Sequence, residues 1–163
     1  DMAFSEAVAK AGGEKINVCF QCGTCTASCP VNRVNENYNP RLILRTASLG
    51  LTKRVLPSDL IWLCAVCYSC TERCPRNVRP TEVIRAIRNL AVKRGYVHPF
   101  FKMQAGAIVN FGRIYEEEEF INEMRADMGL PSIPPVNLEE VTKVLQRTKV
   151  KELLAAEKEG SGT

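Results

Sequence analysis

Two cysteine runs with the same spacing constrain this chain more than any other feature of its sequence. The first reads C-x2-C-x2-C-x3-C-P over residues 19–30, and the second repeats the pattern over residues 64–75. Each cysteine of the first run precedes its counterpart in the second by 45 residues. The runs contain all eight cysteines of the chain, which are Cys19, Cys22, Cys25, Cys29, Cys64, Cys67, Cys70 and Cys74.

This spacing is typical of cysteines that bind [4Fe–4S] clusters. Three thiols two residues apart converge on one cubane, whereas the fourth thiol of each run ligates the other cluster of a pair. We therefore predict two [4Fe–4S] clusters with exchanged fourth ligands. One is expected on Cys19, Cys22, Cys25 and Cys74, and the other on Cys64, Cys67, Cys70 and Cys29.

Other uses of the cysteines fit the pattern less well. Thiols two residues apart make poor disulfide partners, and residues 1–6 lack the basic and apolar regions of a signal peptide. Zinc sites with four cysteines need separated C-x-x-C pairs, and a Rieske centre needs two histidines, whereas His98 is the only one. We therefore expect reduced thiols in the cytoplasm of an anaerobic cell.

Charge and hydropathy predict neither a nucleic-acid partner nor a membrane span. The formal charge is +4, but an oxidised cluster with four thiolates carries about −2, so two clusters bring the protein near neutrality. No run of Lys and Arg is long enough to indicate a nucleic-acid surface. No apolar stretch approaches the roughly 20 residues that a transmembrane helix needs.

Hydrophobic periodicity and the positions of Pro and Gly predict a mainly α fold, and no alternating pattern indicates a strand. Residues 32–39 are rich in asparagine and predict a loop, and residues 129–135 predict a proline-rich connector. We expect a helical region over 100–128 with weak points at Gly106 and Gly112, and a loose end over 160–163. The other predicted helices cover 2–11, Pro40 to Gly50, Pro57 into the second cysteine run, Pro80 to Gly95, 138–146 and 151–158.

We expect residues 1–98 to form a two-cluster, ferredoxin-like helical core and residues 99–163 to form a C-terminal helical extension. The extension carries more apolar side chains than packing around two clusters requires. Large exposed apolar patches mark interfaces. We therefore predict that it docks a partner; the alternative is that its aromatic residues form a core of their own. These aromatic residues are Phe100, Phe101, Phe111, Tyr115 and Phe120.

The expected chemistry is one-electron transfer. Four thiolates per cluster leave no open iron position for a substrate, and the chain has no nucleotide-binding or triad motif, so we predict no catalytic residue. Arg73 and Arg76 flank Cys74 and either stabilise a reduced cluster or are simply solvated. Trp62 and Tyr68 are expected to pack against the second cluster and exclude water.

The residues around the cysteines resemble the C subunit of heterodisulfide reductase, and the likeness covers about residues 4–130. It rests on the residues inside the runs, such as Gly23-Thr24 and Tyr68-Ser69, and on those beside them. The latter are Tyr38-Asn39-Pro40-Arg41, Ile61-Trp62-Leu63 and Arg88-Asn89-Leu90-Ala91.

The resemblance implies an α-helical ferredoxin fold with two [4Fe–4S] clusters. In that family the C subunit passes electrons one at a time from a flavin-bearing A subunit to the B subunit, which reduces the coenzyme M–coenzyme B heterodisulfide of methanogenesis. A hydrogenase or a formate dehydrogenase belongs to the same assembly in some cases. The alternatives are a free ferredoxin-like electron carrier and the equivalent subunit of a related reductase or dehydrogenase.

Overall fold

The computed structural model describes residues 2–116 and 118–155, and over these residues the chain is helical and has no strand, as predicted. A π-helical turn covers Ala9–Gly13, and short 3-10 helices cover Ile16–Val18 and Asp59–Leu63. The α-helices are α1 (Met2–Val8), α2 (Thr24–Ala27), α3 (Pro30–Val34), α4 (Pro40–Ser48), α5 (Thr52–Val55), α6 (Ser69–Glu72), α7 (Pro80–Lys93), α8 (Pro99–Phe111), α9 (Glu119–Asp127), α10 (Leu138–Arg147) and α11 (Val150–Ala155).

The described residues divide into two compact units, 2–96 and 97–155. Both cysteine runs lie in the first unit, together with α1 to α7. None of the helices in the described ranges is long and apolar enough to cross a membrane.

Two helices that begin with proline form the centre of the first unit. Proline suits the first position of a helix because its missing N–H would have no partner there. The buried faces of α4 and α7 correspond along the repeat, and the two helices pack against each other and against α1. The buried residues are Ile43, Leu44 and Ala47 in α4, and Val83, Ile84 and Ile87 in α7.

The first helix closes this core, and the predicted glycine stop lies at the end of the π-helical turn that follows α1. Phe4 and Val8 are 1% and 0% exposed. Gly12 has φ +110°, a conformation that other residues rarely adopt, and a Cβ on Gly13 would lie 2.8 Å from Cγ1 of Val8. The predicted stops of α4 at Gly50 and of α7 at Gly95 are also confirmed, since both glycines have positive φ.

The loop prediction over residues 32–39 was wrong at its start. Pro30 begins the one-turn helix α3, which continues to Val34. Two of the asparagines form hydrogen bonds that stabilise this segment. The Asn32 side chain donates to the Tyr38 carbonyl at 2.7 Å, and the Asn39 side chain caps α4.

The predicted helical region over 100–128 is two helices. Helix α8 passes through Gly106 and ends at Gly112, which has φ +70°, and α9 begins at Glu119. Glu116 and Glu118 therefore lie before α9 rather than within a helix, and residue 117 lies outside the described residues. His98 caps α8 by accepting from the Phe100 N–H at 3.2 Å, as expected of a helix-start residue.

The rest of the second unit follows the predicted pattern. The connector over 129–135 is non-helical, and the Arg125 side chain donates to the Pro131 carbonyl at 2.8 Å. Helix α10 matches the predicted helix over 138–146, and α11 matches the described part of the helix over 151–158. The remainder of that helix and the loose end over 160–163 lie outside the described residues.

We predict that Ile84→Ala lowers the free energy of unfolding by about 2–5 kcal/mol, because Ile84 is 0% exposed and its loss leaves a cavity between α4 and α7. Asn89→Ala on the exposed face of the same helix should change it by less than about 0.5 kcal/mol. Urea unfolding of the anaerobically purified protein measures both. Equal effects of the two substitutions would contradict this view of the core.

Candidate metal centres

Two cavities in the first unit are each lined by four cysteines. The first measures about 340 Å³ and the second about 280 Å³, including their open mouths. Each takes three cysteines from one run and the fourth from the other run. The first is lined by Cys19, Cys22, Cys25 and Cys74, and the second by Cys64, Cys67, Cys70 and Cys29. This grouping agrees with exchanged fourth ligands, although ligation itself stays a prediction.

The backbone turns in the same way within both runs. The residues between the first and third cysteines alternate in and out of the left-handed region, with φ +63° at Gln21 and +87° at Gly23. Their counterparts Val66 and Tyr68 have φ +53° and +62°. A β-branched residue is strained there, and such strain is kept where function needs the conformation. The turns direct successive thiols toward one cavity.

A threonine after the third cysteine ties each run to its core helix. The Thr26 hydroxyl accepts from the Arg41 N–H at 3.2 Å, at the start of α4. The Thr71 hydroxyl accepts from the Thr81 N–H at 3.4 Å, at the start of α7. Because α4 and α7 share the core, these bonds position the two runs relative to each other.

The middle thiols of the two runs have matched environments. The Thr24 hydroxyl lies 3.3 Å from the exposed Cys22 sulfur and lowers the pKa of that thiol, and Ser69 acts likewise on Cys67 at 3.5 Å. In contrast, burial raises the pKa of Cys25 to about 11 and also raises the pKa of Cys70. The exposed thiols therefore ionise more readily than the buried ones.

Several further donors point at sulfur. The Gln21 amide donates to Cys19 at 3.2 Å, and the Val78 N–H donates to Cys74 at 3.3 Å. The Thr81 hydroxyl lies 3.2 Å from the Cys70 sulfur in a buried contact. Hydrogen bonds to thiolate sulfur stabilise negative charge on a cluster and raise its reduction potential.

The donor set fits a group that contains several metal ions. All eight cysteines are free in the structure, which leaves each thiol available to bind metal. Among the described residues, no three His, Cys, Asp or Glu side chains meet closely enough to hold one metal ion. Four thiols spread around one cavity suit a cubane, in which each iron takes its own thiolate.

Of the four residues predicted to flank the clusters, Trp62, Tyr68, Arg73 and Arg76, only Arg76 lines a cavity. Trp62 packs against the apolar core and lies under the Arg88 guanidinium at 5.7 Å, and Tyr68 accepts a hydrogen bond from Arg85 at 3.1 Å. Neither residue lines the second cavity, and their packing against a cluster stays a prediction. Arg76 lines the first cavity, whereas Arg73 is exposed and does not.

The structure also reveals two residues that sequence reasoning did not assign to the site. Tyr38 lines the second cavity and is 1% exposed. The Arg88 side chain donates to the backbone carbonyls just before and at Cys64. Both belong to the segments that carry the family resemblance, which is the signal that would have found them.

Comparison with known proteins agrees with this geometry. Residues 15–78 match the family model of the 4Fe-4S dicluster domain, so the chain carries such a domain. The chain is 38% identical to the C subunit of H(2):CoB-CoM heterodisulfide,ferredoxin reductase from Methanothermobacter thermautotrophicus, over 94% of this chain and 86% of the relative. It is 39% identical to the iron-sulfur C subunit of CoB--CoM heterodisulfide reductase from Methanopyrus kandleri, over 85% and 75% of the two chains.

A third relative, the C subunit of Ferredoxin:CoB-CoM heterodisulfide reductase from Methanosarcina mazei, is 38% identical over 93% of this chain and 96% of its own length. These relatives cover both units of the fold. Together with the eight cysteines and the dicluster domain, they show that the chain belongs to the family of heterodisulfide reductase iron–sulfur C subunits.

Proposed function

We propose that this chain is the electron-transfer subunit of a heterodisulfide reductase complex. It holds one [4Fe–4S] cluster on Cys19, Cys22, Cys25 and Cys74, and a second on Cys64, Cys67, Cys70 and Cys29. The observation that carries the proposal is the pair of cavities, each lined by four cysteines drawn from both runs. When bound, each cluster takes up and releases one electron at a time.

The chain's own residues hold and insulate the clusters but do not bind a substrate. All eight thiols are used as ligands, and the polar side chains beside them contact sulfur. The Gln21 amide donates to Cys19, the Cys67 thiol donates to the Ser69 hydroxyl, and the Thr24 hydroxyl lies 3.3 Å from the Cys22 sulfur. We therefore propose that the chain has no catalytic residues. Electrons enter from a flavin-bearing A subunit and leave to a B subunit that reduces the heterodisulfide.

The names of the relatives support this choice of complex. They state a CoB-CoM heterodisulfide reductase, and one also names hydrogen. We infer the same substrate for the complex of this chain, in the cytoplasm of an anaerobic methanogen, with a hydrogenase or formate dehydrogenase as the electron source. A related reductase that uses the equivalent subunit is the second candidate.

The second unit supports a subunit rather than a free carrier. Among its described residues only Leu145 is buried, so its aromatic residues do not form a core of their own. Phe100 and Phe120 are 49% and 61% exposed. Exposed apolar surface of this kind marks interfaces, and we propose residues 99–163 as a docking segment for partner subunits.

The cluster content is the first test. Iron and acid-labile sulfide in anaerobically purified protein should each amount to about eight atoms per chain, since two cubanes hold that number. Preparations made in the same way should contain little zinc. Zinc as the main metal would contradict the proposal.

The exchange of fourth ligands is the second test. Cys29→Ser should disturb the cluster of the second run, so its electron paramagnetic resonance spectrum should match that of Cys67→Ser. Cys74→Ser should instead match Cys22→Ser. If every run held its own cluster, Cys29→Ser would instead match Cys22→Ser, and Cys74→Ser would match Cys67→Ser. That result would refute exchanged ligation.

The docking segment is the third test. Deleting residues 100–163 should leave the cluster absorbance largely intact, because the first unit contains its own core and all eight cysteines. The same deletion should abolish co-purification with partner subunits. Loss of the clusters on deletion would show that the segment is structural. A full-length chain that runs at its own mass in anaerobic extract would favour the free carrier.

A further inference from the structure

The first cysteine of each run comes directly after a short 3-10 helix. Cys19 follows Ile16–Val18, and Cys64 follows Asp59–Leu63. The last carbonyls of a helix have no donor within it and are satisfied by groups at or beyond its end. The donor that closes each 3-10 helix therefore also fixes the backbone at the first cysteine of the run.

The two 3-10 helices are closed by different donors. In the first run the Cys19 N–H donates to the Ile16 carbonyl at 3.4 Å, so the closure is local. In the second run the donor is the Arg88 side chain of α7. Its Nε and Nη2 atoms donate to three backbone carbonyls at 2.8, 2.9 and 2.8 Å, those of Ile61, Trp62 and Cys64. The backbone at Cys64 is therefore held by a residue that is distant in the sequence.

The position of the Arg88 guanidinium is itself fixed. Arg88 lies one turn after Ile84, which is buried in the core of the first unit. The guanidinium carbon lies 5.7 Å from the centre of the Trp62 ring, and Trp62 packs against the same core. A planar guanidinium presents its donors in a rigid fork, whereas the ammonium of lysine is a point charge on a flexible stem. The three bonds therefore depend on the shape of this side chain and not only on its charge.

Helix α7 also contacts the third cysteine of the second run. The Thr81 hydroxyl lies 3.2 Å from the Cys70 sulfur in a buried contact. Arg88 follows Thr81 by seven residues, about two turns, so both side chains lie on the same face of α7. On α4 the position equivalent to Arg88 is Ser48, whose hydroxyl donates to the Arg45 carbonyl at 3.0 Å. Position 88 therefore serves the second run, whereas its equivalent bonds its own helix.

We propose that Arg88 is a positioning residue of the second cluster site and fixes the Cys64 backbone so that the thiol stays at the cavity. This role depends on the forked geometry of the guanidinium. It is confined to the second site, because the backbone at Cys19 is closed locally. The proposal rests on the proposed function, since it assumes a cluster at each site. A Cys64 thiol that is held less firmly should leave its iron more often and expose that cluster to loss.

The test is the rate at which a ferrous-iron chelator removes iron from the full-length, cluster-loaded protein without oxygen. In Arg88→Met about half of the iron should leave about tenfold faster than in wild type, because each cluster holds half of the iron and hydrogen bonds from a charged donor are strong. The other half should leave at the wild-type rate.

Electron paramagnetic resonance of reduced samples assigns the loss to a site. The signal that Cys67→Ser disturbs should decay quickly or be absent from the outset, while the signal that Cys22→Ser disturbs persists. Arg88→Lys keeps the charge without the fork and should behave as Arg88→Met does. Arg45→Met is the matched control, because Arg45 is an exposed arginine of α4 that lines neither cavity, and it should release iron at the wild-type rate.

The remaining outcomes separate this inference from the proposed function. Wild-type release from either Arg88 variant would refute the inference, and in Arg88→Lys alone it would show that charge rather than geometry matters. Equal acceleration at both sites, or failure of both Arg88 variants to assemble any cluster, would show a general role in folding and would also refute it. If only one Arg88 variant assembles, its release rates decide. Wild-type protein without two clusters would instead refute the proposed function.

Discussion

The crossing of the two cysteine runs is the constraint on which the rest of the first unit depends. Each cavity needs three thiols from one run and one from the other, so neither half of the repeat completes a site by itself. The contact between α4 and α7 holds the halves together, and Thr26 and Thr71 fasten each run to the start of its helix. Metal binding and folding are coupled in such a site because the ligands come from distant parts of the chain.

The two halves of the repeat match in the residues beside the cysteines and differ at two pairs of positions near the cavities. Hydroxyls beside Cys22 and Cys67 occupy matching positions, as do the left-handed residues between the cysteines. The two halves differ at two pairs of equivalent positions. Tyr38 lines the second cavity where Val78 lines the first, and Arg88 donates to the Cys64 carbonyl where Ser48 bonds its own helix.

The second unit has little hydrophobic core of its own among its described residues. Its described part buries only Leu145, while several large apolar side chains stay exposed. Large exposed apolar surface of this kind marks interfaces, which supports the proposed docking role. The similarity to the relatives extends through this unit, so it belongs to the family's architecture rather than being a variable addition.

The spacing of prolines, glycines and cysteines predicted the helical class, the main helices and the two groups of four thiols that line the cavities, while ligation by these groups stays a prediction. These features depend on short-range spacing and backbone preference, which are local. Three features came only from the folded structure: Gly112 rather than Gly106 ends α8, Pro30 begins a helix, and Tyr38 lines the second cavity. Those outcomes depend on packing between residues that are far apart in the chain. Local sequence patterns do not predict which distant residues come into contact.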